Sequence, residues 1–479
     1  MGLPDNARWQ AQADRFVALP APPVLRAACP DAVRAVLARL SGGGHEAVAV
    51  GGGVRDALLG RPSKGFWDLA TSATPEEVTQ LFPHAVPTGI AHGTVTLPDP
   101  SGAPSESIEI TTYRTDHGYT DSRRPDQVRF GVDLVTDVER RDFTVNALVY
   151  EPNDQLVLDA VGGLADLDAR LLRAVGDPVK RFREDALRPL RGARLAAVLE
   201  FEFEPQTKAA LSRALDLVPK LSQERVRDEL GKLLAAGRPS RGLEALREAG
   251  LLALVLPELQ ATVGIQQNRH HAFDVYVHTL RAIDAAPAGN EVVRWAALAH
   301  DLGKPITRAL KDDGDASFHG HPQAGAEIAD AMLNRLRMPR AIQERIVHLV
   351  REHLFEYRPE WSDAAVRRFV RRVGTDALED LFALRAADAA GTRADGAPDL
   401  SNLAAFRTRI DSVMSAKPPL SARELVVNGN DIMTALSIAP GPRVGAVLDA
   451  LLERVLDDPA LNDPDLLLAL ARELAPSLP

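Results

Sequence analysis

Between residues 31 and 150 the spacing of apolar positions changes repeatedly. In "SIEITTYR", Ile108 and Ile110 fall on one side and Glu109 and Thr111 on the other, as in a strand buried on one face. "EAVAV" and "GTVTLPD" also predict strands, whereas "DAVRAVLARL" and "VRDALLG" predict helices. From about residue 165 onward the pattern is almost wholly helical, with glycine and proline breaks near 237, 256, 287–289, 303–305 and 417–419. Residues 1–30 carry Pro4, Pro20, Pro22, Pro23 and Pro30 and predict an irregular extension with one short helix. The expected fold class is α+β. A small α/β head spans 31–155, a helical neck and body 156–260, a further helical domain 261–400, and a helical tail 401–479.

Composition narrows this little. The chain has 479 residues, 45% apolar and 25% charged, which is ordinary for a globular protein of several domains. No apolar run approaches a membrane span, and the first residues lack a basic-then-apolar signal pattern. A single cysteine, Cys29, excludes an internal disulfide and fits a reducing compartment, so a cytoplasmic protein is expected. The net charge of −10 argues against binding nucleic acid over the whole surface. Charge distribution changes that picture. Arg123-Arg124, Arg140-Arg141, and then Arg181, Arg183, Arg188, Arg191 and Arg194 are clustered, although each cluster alone also reads as a solvated helix face.

Candidate chemistry begins at "EAVAVGGGVRDALLG", a strand, a triple-glycine turn and a helix. Glycines let backbone N–H groups approach a phosphate at a helix N-terminus, and Arg55 adds a fixed positive charge. The stretch is neither a G-x-G-x-x-G fingerprint nor a P-loop, and alone it reads as a structural turn more readily than as a phosphate site. The next strand, in "SKGFWDLATSATPEE", carries one acid, Asp68. Metal-assisted chemistry there asks for a second carboxylate two residues earlier, on the same sheet face, and that position is Phe66.

In order, "VGGGVRDALLG", "WDLATSATPEEV", "IEITTYRTD", "RRDFTVNAL" and "REDALRPLRGAR" resemble the bacterial CCA-adding enzyme and poly(A) polymerase family, the class II tRNA nucleotidyltransferases. The resemblance covers about residues 32–475, through "WAALAHDLGKP" and "NGNDIM". It implies template-independent transfer of CMP and/or AMP from CTP or ATP to a tRNA 3′ end, with Mg²⁺ held by strand carboxylates. Asp68 matches the second acid of the family's Asp-x-Asp, and Glu109 matches its third acidic position. Here Lys64-Gly65-Phe66-Trp67-Asp68 is one residue longer and lacks the first acid, which is expected to weaken the metal site and puts turnover in question.

By the same resemblance, Gly52 and Arg55 form the phosphate turn and Arg141 contacts the triphosphate. Asp142 and Asn146, four apart on an expected helix, brace it. Asp185, Arg188, Arg191 and Arg194 stand at steps of three on what reads as one helix. The first two match the family's readers of the C or A edge. A carboxylate accepts from the exocyclic amine that both bases carry, and a guanidinium donates to ring or carbonyl acceptors. Arg191 and Arg194 are candidates for phosphate contact. "RTDHGYTDSRRPD" (114–126) reads as a flexible loop, where the family places a switch from C to A, so its presence favours CCA or A addition over CC only.

Further on, "HHAFDVYVHTL", "WAALAHDLGKP", "FHGHP", "REHL" and "RAADAAG" resemble the HD phosphohydrolase superfamily. His278, His300, Asp301 and Asp388 match its ligand set, with His321 and His353 where additional ligands occur. Imidazole with carboxylate suits Mn²⁺, Ni²⁺, Fe²⁺ or Mg²⁺. The resemblance leaves phosphohydrolase activity and a purely RNA-binding body both open. The expected partners are a tRNA 3′ end, CTP and ATP, with neither membrane nor protein. Alternatives to CCA or A addition are a catalytically impaired tRNA-binding protein, a poly(A) polymerase and an HD metal hydrolase.

Overall fold

The computed structural model describes residues 15–61, 67–89, 93–98, 107–117, 127–268, 272–313, 315–392 and 397–477. Phe66, and the centre of the expected loop at 118–126, lie outside them. The chain divides into two compact units, Met1–Pro257 and Glu258–Pro479.

The first unit is built on an eight-stranded sheet. Its strands are β1 (Val17–Pro20), β2 (Ala47–Val50), β3 (Asp68–Thr71), β4 (Val86–Gly89), β5 (Thr94–Leu97), β6 (Ile108–Thr112), β9 (Val149–Glu151) and β10 (Leu156–Asp159). The order is β1-β10-β9-β2-β3-β6-β5-β4, and only β3 and β6 run parallel. Ile108 and Ile110 are buried while Glu109 is exposed, as the alternation in β6 predicts. Val48, Val50, Ala70, Val149 and Leu158 form the core under the sheet. Two strands, β7 (Arg114–His117) and β8 (Gln127–Phe130), pair antiparallel as a separate hairpin, so the first four residues of the expected loop are strand.

Residues 17–20 also depart from expectation, because they pair with β10 as the sheet's edge strand. Proline is tolerated there, and Pro20 stands at the last position of the strand. β10 extends the sheet to Asp159, a few residues beyond the expected end of the head.

Helix α1 (Gly52–Leu58) follows β2, and α2 (Leu134–Glu139) follows the hairpin. Beyond the sheet come α3 (Pro178–Glu184), α4 (Arg188–Leu199) and α5 (Gln223–Leu234). The second unit is helical apart from one two-residue hairpin among the described residues. The helices used below are α6 (Val275–Ala285), α7 (Glu291–Ala299), α8 (His321–Arg335), α9 (Arg340–Glu352) and α10 (Leu378–Thr392).

Candidate functional site

Asp68 and Glu109 are register partners on the parallel pair β3 and β6, so both carboxylates leave the sheet on one face, side by side. Trp67, fully buried, pins the start of β3, while Asp68 stays open to solvent. Both acids are pushed above the usual carboxylate range. Although both reach solvent, the protein packed around them removes part of the water from each; Asp68 adds repulsion at Glu109, while Arg141 and Arg191 pull Asp68 back down. Two like charges held in register favour a cation between them, and an all-oxygen pair suits Mg²⁺.

The glycine turn closes over this pair. Gly51 sits at φ +80°, and a Cβ there would lie 2.8 Å from Asp68 Oδ2 and 3.7 Å from Arg141 Nη1. Glycine is therefore required for both the backbone conformation and the approach of turn to carboxylate. Arg55 is buried on α1; its Nε donates to Asp56 Oδ1 at 2.9 Å and its Nη1 to Asn146 Oδ1. Arg141 Nη2 donates to Asp137 Oδ2 at 3.1 Å, and Arg140 Nη2 to Asp137 Oδ1 at 2.7 Å. Asp137 was missed by the sequence reading, although its spacing of four from Arg141 on a helix was a usable signal. Burial works against its charge, and the two arginines override that and hold its pKa low.

Asp142 and Asn146 do brace an arginine, though a different one from that expected. Asp142 Oδ2 accepts from Arg191 Nε at 2.8 Å and Nη2 at 2.7 Å, while Asn146 Nδ2 donates to Asp142 Oδ1 at 3.1 Å. Asn146 thus turns its amide to Asp142 and its carbonyl to Arg55, the orientation that satisfies both neighbours. The segment is a 3-10 turn at Thr144–Asn146, with no longer helix. Burial opposes the charge on Asp142, but Arg191 and Asn146 outweigh it and drive its pKa far below the usual range.

The row Asp185-Arg188-Arg191-Arg194 does not lie on one helix. Asp185 is the extended residue after α3, and α4 starts at Arg188 with Pro189 in its first turn. Asp185 Oδ1 accepts from Leu187 N at 3.0 Å and Oδ2 from Arg225 Nη2 at 3.2 Å, so the carboxylate sits in a turn held from α5. Arg188 is buried, donating to Glu184 Oε2 at 2.6 Å and to the carbonyls of Arg181 at 2.8 Å and Arg140 at 3.2 Å. Arg194 Nε donates to Glu229 Oε2 at 2.6 Å. Arg191 and Arg194, expected at phosphate, are thus engaged by carboxylates. Arg225 and Glu229, one turn apart on α5, were not foreseen because their partners lie about forty residues away in sequence.

In the second unit, His278, His300, Asp301, His321, His353 and Asp388 converge, and all are buried. His278 Nε2 is 3.1 Å from His300 Nε2, 3.3 Å from Asp301 Oδ2 and 3.1 Å from Asp388 Oδ1. His321 Nε2 is 3.5 Å from Asp301 Oδ1 and 3.3 Å from His353 Nε2. Asp301 therefore belongs to two potential ligand groups, one with His278 and His300, the other with His321 and His353. Backbone carbonyls fix the tautomers. The Nδ1 atoms of His300, His321 and His353 lie 2.7–2.8 Å from the carbonyls of Ala297, Phe318 and Val350, which only accept. In the neutral rings Nδ1 carries the proton, and each Nε2 turns a lone pair into the centre. Burial, aided by repulsion from His300, pushes His353 down to about 3. Burial also opposes charge on His300, but Asp301 raises it; Asp301 itself, with His300 and Lys304 beside it, is held well below the usual range despite burial. Lone pairs from four imidazoles and two carboxylates fit a transition-type divalent cation.

Two glycines allow this packing. A Cβ at Gly391 on α10 would come within 3.0 Å of His278 Nδ1, and one at Gly303 within 2.2 Å of the His321 carbonyl. Lys304, which the sequence reading passed over, forms an ion pair with Asp301, its Nζ 2.7 Å from Oδ2, and donates to Gln267 Oε1 at 2.6 Å. A cavity of about 470 Å³ opens beside this centre, lined in part by Lys304, Lys311, His321, His353 and Arg385.

Residues 47–173 match the family of the poly A polymerase head domain, 200–262 a "probable RNA and SrmB- binding site of polymerase A", and 269–392 the HD domain. A CCA-adding enzyme of Streptococcus thermophilus is 34% identical over 92% of this chain and 96% of its own. An A-adding tRNA nucleotidyltransferase of Deinococcus radiodurans is 39% identical over 67% of this chain and 75% of its own. The crystal structure of the Bacillus stearothermophilus CCA-adding enzyme in complex with CTP superposes with a TM-score of 0.71 at 28% identity, covering 92% of this chain and 96% of that one. No helix among the described residues is long and apolar enough to cross a membrane. At 34% identity to the Streptococcus thermophilus enzyme, over nearly the full length of both chains, the chain belongs to the CCA-adding enzyme and poly(A) polymerase family of tRNA nucleotidyltransferases.

Proposed function

We propose that the protein completes tRNA 3′ ends in the cytoplasm by adding CMP and AMP from CTP and ATP. The observation that carries this reading is the register pairing of Asp68 with Glu109 beneath the Gly51 turn, with Arg141 beside them. In it, Asp68 and Glu109 hold Mg²⁺, which would stabilise the attacking and leaving oxygens of the transfer. Gly52, Arg55 and Arg141 take the triphosphate, where backbone N–H groups and fixed cations meet its charge. Asp185 and Arg188 read the base. An incoming amine donates to Asp185 while Arg225 keeps hold of that carboxylate, and Arg188 turns from Glu184 to the ring acceptors. We assign Arg191 and Arg194 to holding this helix, because Asp142 and Glu229 engage their guanidinium groups.

The test is incorporation of labelled CTP and ATP, each alone and together, into tRNAs ending before, within and after CCA, with Mg²⁺ in excess. Addition that stops after the terminal A is expected; CTP-independent addition of A alone identifies an A-adding enzyme instead. Phe66→Asp, with and without deletion of Gly65, runs alongside. A gain of orders of magnitude means that the altered strand limits the rate, and little change means that Asp68 and Glu109 suffice.

A second activity is favoured by one observation, the shared Asp301 between two histidine pairs. In this reading His278, His300, Asp301, His321, His353 and Asp388 hold divalent metal of the Mn²⁺, Ni²⁺, Fe²⁺ or Mg²⁺ class. The ion would supply a water nucleophile for phosphate-ester hydrolysis. Lys304 keeps Asp301 oriented, and Arg385 with Lys311 offers charge to the ester's phosphate. Hydrolysis of bis(4-nitrophenyl) phosphate that needs added metal and is lost in His300→Ala is the expected result.

A further inference from the structure

A second, smaller cavity lies next to the histidine–aspartate centre. It measures about 160 Å³ and is walled by Phe355, Tyr357, Leu400, Asn402, Leu403 and Arg385. Arg385 also lines the 470 Å³ cavity at the centre, so the two chambers share this side chain. Together they fall within the ~300–1,000 Å³ usual for small-molecule sites. The Arg385 Nη1 atom lies 2.5 Å from Asp388 Oδ2, and Asp388 Oδ1 is 3.1 Å from His278 Nε2, so the smaller chamber begins one side chain away from the cluster.

The two chambers differ in chemistry. Around the centre stand Lys304, Lys311 and Arg385, cations suited to a phosphate. The outer chamber has aromatic rings and an amide, with the carboxylates of Glu356 and Asp399 also in its wall, acceptors for an amine that keep the phosphate on the side of the lysines. Tyr357 is held flat against Phe406, with ring centroids 4.4 Å apart and planes 8° from parallel, and Trp361 packs edge-on to both. Asn402 Nδ2 donates to the Tyr357 carbonyl at 3.0 Å, which fixes the amide and turns its oxygen away as an acceptor. A rigid aromatic wall beside a fixed amide acceptor suits a planar, amine-bearing heterocycle.

We infer that this outer chamber is a nucleobase subsite, so that the histidine–aspartate centre takes a nucleoside phosphate with its ring against Phe355 and Tyr357. The inference rests on the metal-centre reading above. The phosphate sits by Lys304 and Lys311, Arg385 spans the junction, and the Asn402 oxygen accepts from an exocyclic amine. A free mononucleotide and the terminal nucleotide of an RNA present the same chemistry.

The test uses the full chain loaded with Mn²⁺, with metal content measured by mass spectrometry. Binding of adenosine 3′-phosphate, which lacks the triphosphate that the head takes, and of inorganic phosphate is followed by equilibrium dialysis. Leu403→Trp, which fills the chamber, is expected to weaken adenosine 3′-phosphate binding roughly tenfold or more, the scale of one lost stacking contact, with phosphate binding and metal content unchanged. Equal effects on both ligands, or none on either, overturn the subsite. If Leu403→Trp does not fold, the wild-type chain is photolabelled with 8-azidoadenosine 3′-phosphate. Label on 355–357 or 400–403 supports the assignment, and label confined elsewhere overturns it. Absence of bound metal alongside label in the chamber sinks the metal reading and leaves the subsite standing. A short RNA ending in a 3′-phosphate, competing more strongly than the mononucleotide, identifies an RNA end as the source; equal competition identifies the free nucleotide.

Discussion

In the head, Asp68 and Glu109 stand on neighbouring parallel strands with their side chains open to solvent. In the second unit, His278, His300, Asp301 and His353 are each at most 2% exposed, on or beside helices whose own carbonyls orient the rings. The open site has oxygen donors and little else, which suits an ion that keeps most of its water and travels with a triphosphate. The closed site has nitrogen donors with fixed tautomers, which suits an ion that stays. Openness and donor type vary together because both follow from the scaffold. A sheet face exposes alternate residues, whereas helix ends bury whatever they converge on.

The largest effect should separate the two centres. Asp68→Asn removes a carboxylate from the head alone and is expected to cut nucleotide incorporation by ~10²-fold or more, while metal-dependent hydrolysis at the other centre is unchanged. The double change His300→Ala and Asp301→Ala should do the reverse, and loss of incorporation in that variant would break the division.

Occupancy should separate them as well. At a Mn²⁺ concentration one hundred times its Kd, the second unit gains about 2.7 kcal/mol of stability, visible as a higher unfolding midpoint. His300→Ala should erase the gain, whereas Glu109→Gln should leave it intact.

The head also rests on internal ion pairs. Arg191→Met leaves Asp142 buried without its main partner and is expected to cost about 3–5 kcal/mol, read from denaturant unfolding. The pH dependence follows from the sign of the shift. Asp142 has its folded pKa depressed, so its contribution is complete above the unfolded value near ~3.9 and is lost as pH falls toward the folded one. Arg191→Met should therefore flatten the acid limb of the stability curve below about pH 4.

The smallest change concerns selection. Arg225→Ala frees Asp185 from α5, and we expect the KM for CTP and ATP to rise a few-fold with kcat nearly constant, the scale of a partly exposed pair. A fall in kcat instead would show that Arg225 acts beyond positioning Asp185.

How far the sequence reveals these features depends on the range of the interaction. Glu109 on one face of β6 follows from a period of two, and Arg55 after the glycine turn follows from a strand–turn–helix pattern, both local signals. The pairing of Arg191 with Asp142, 49 residues apart, needs the tertiary structure, as does the hold of Arg225 on Asp185. Equal spacing misled at Asp185. Steps of three suggest one helix, but Asp185 and Leu187 form a side-chain-capped turn that breaks it. Prolines misled at residues 17–20, since an edge strand tolerates at its end what a central strand does not. The histidine cluster was legible as residue types in order; its division into two groups around Asp301 was not.

The spread of that cluster along the chain has a consequence for biosynthesis. His278 is its first member and Asp388 its last. At ~5–20 residues per second, on the order of ten seconds pass between the emergence of the two from the ribosome. During that interval the apolar faces of α6 and α7 have no α10 to pack against, and the centre lacks its final carboxylate. In the metal reading proposed above, ion capture would be a late event in maturation, coinciding with the docking of α10 that brings Gly391 against His278. A nascent chain stalled before Asp388 should need a chaperone, and a released one should not.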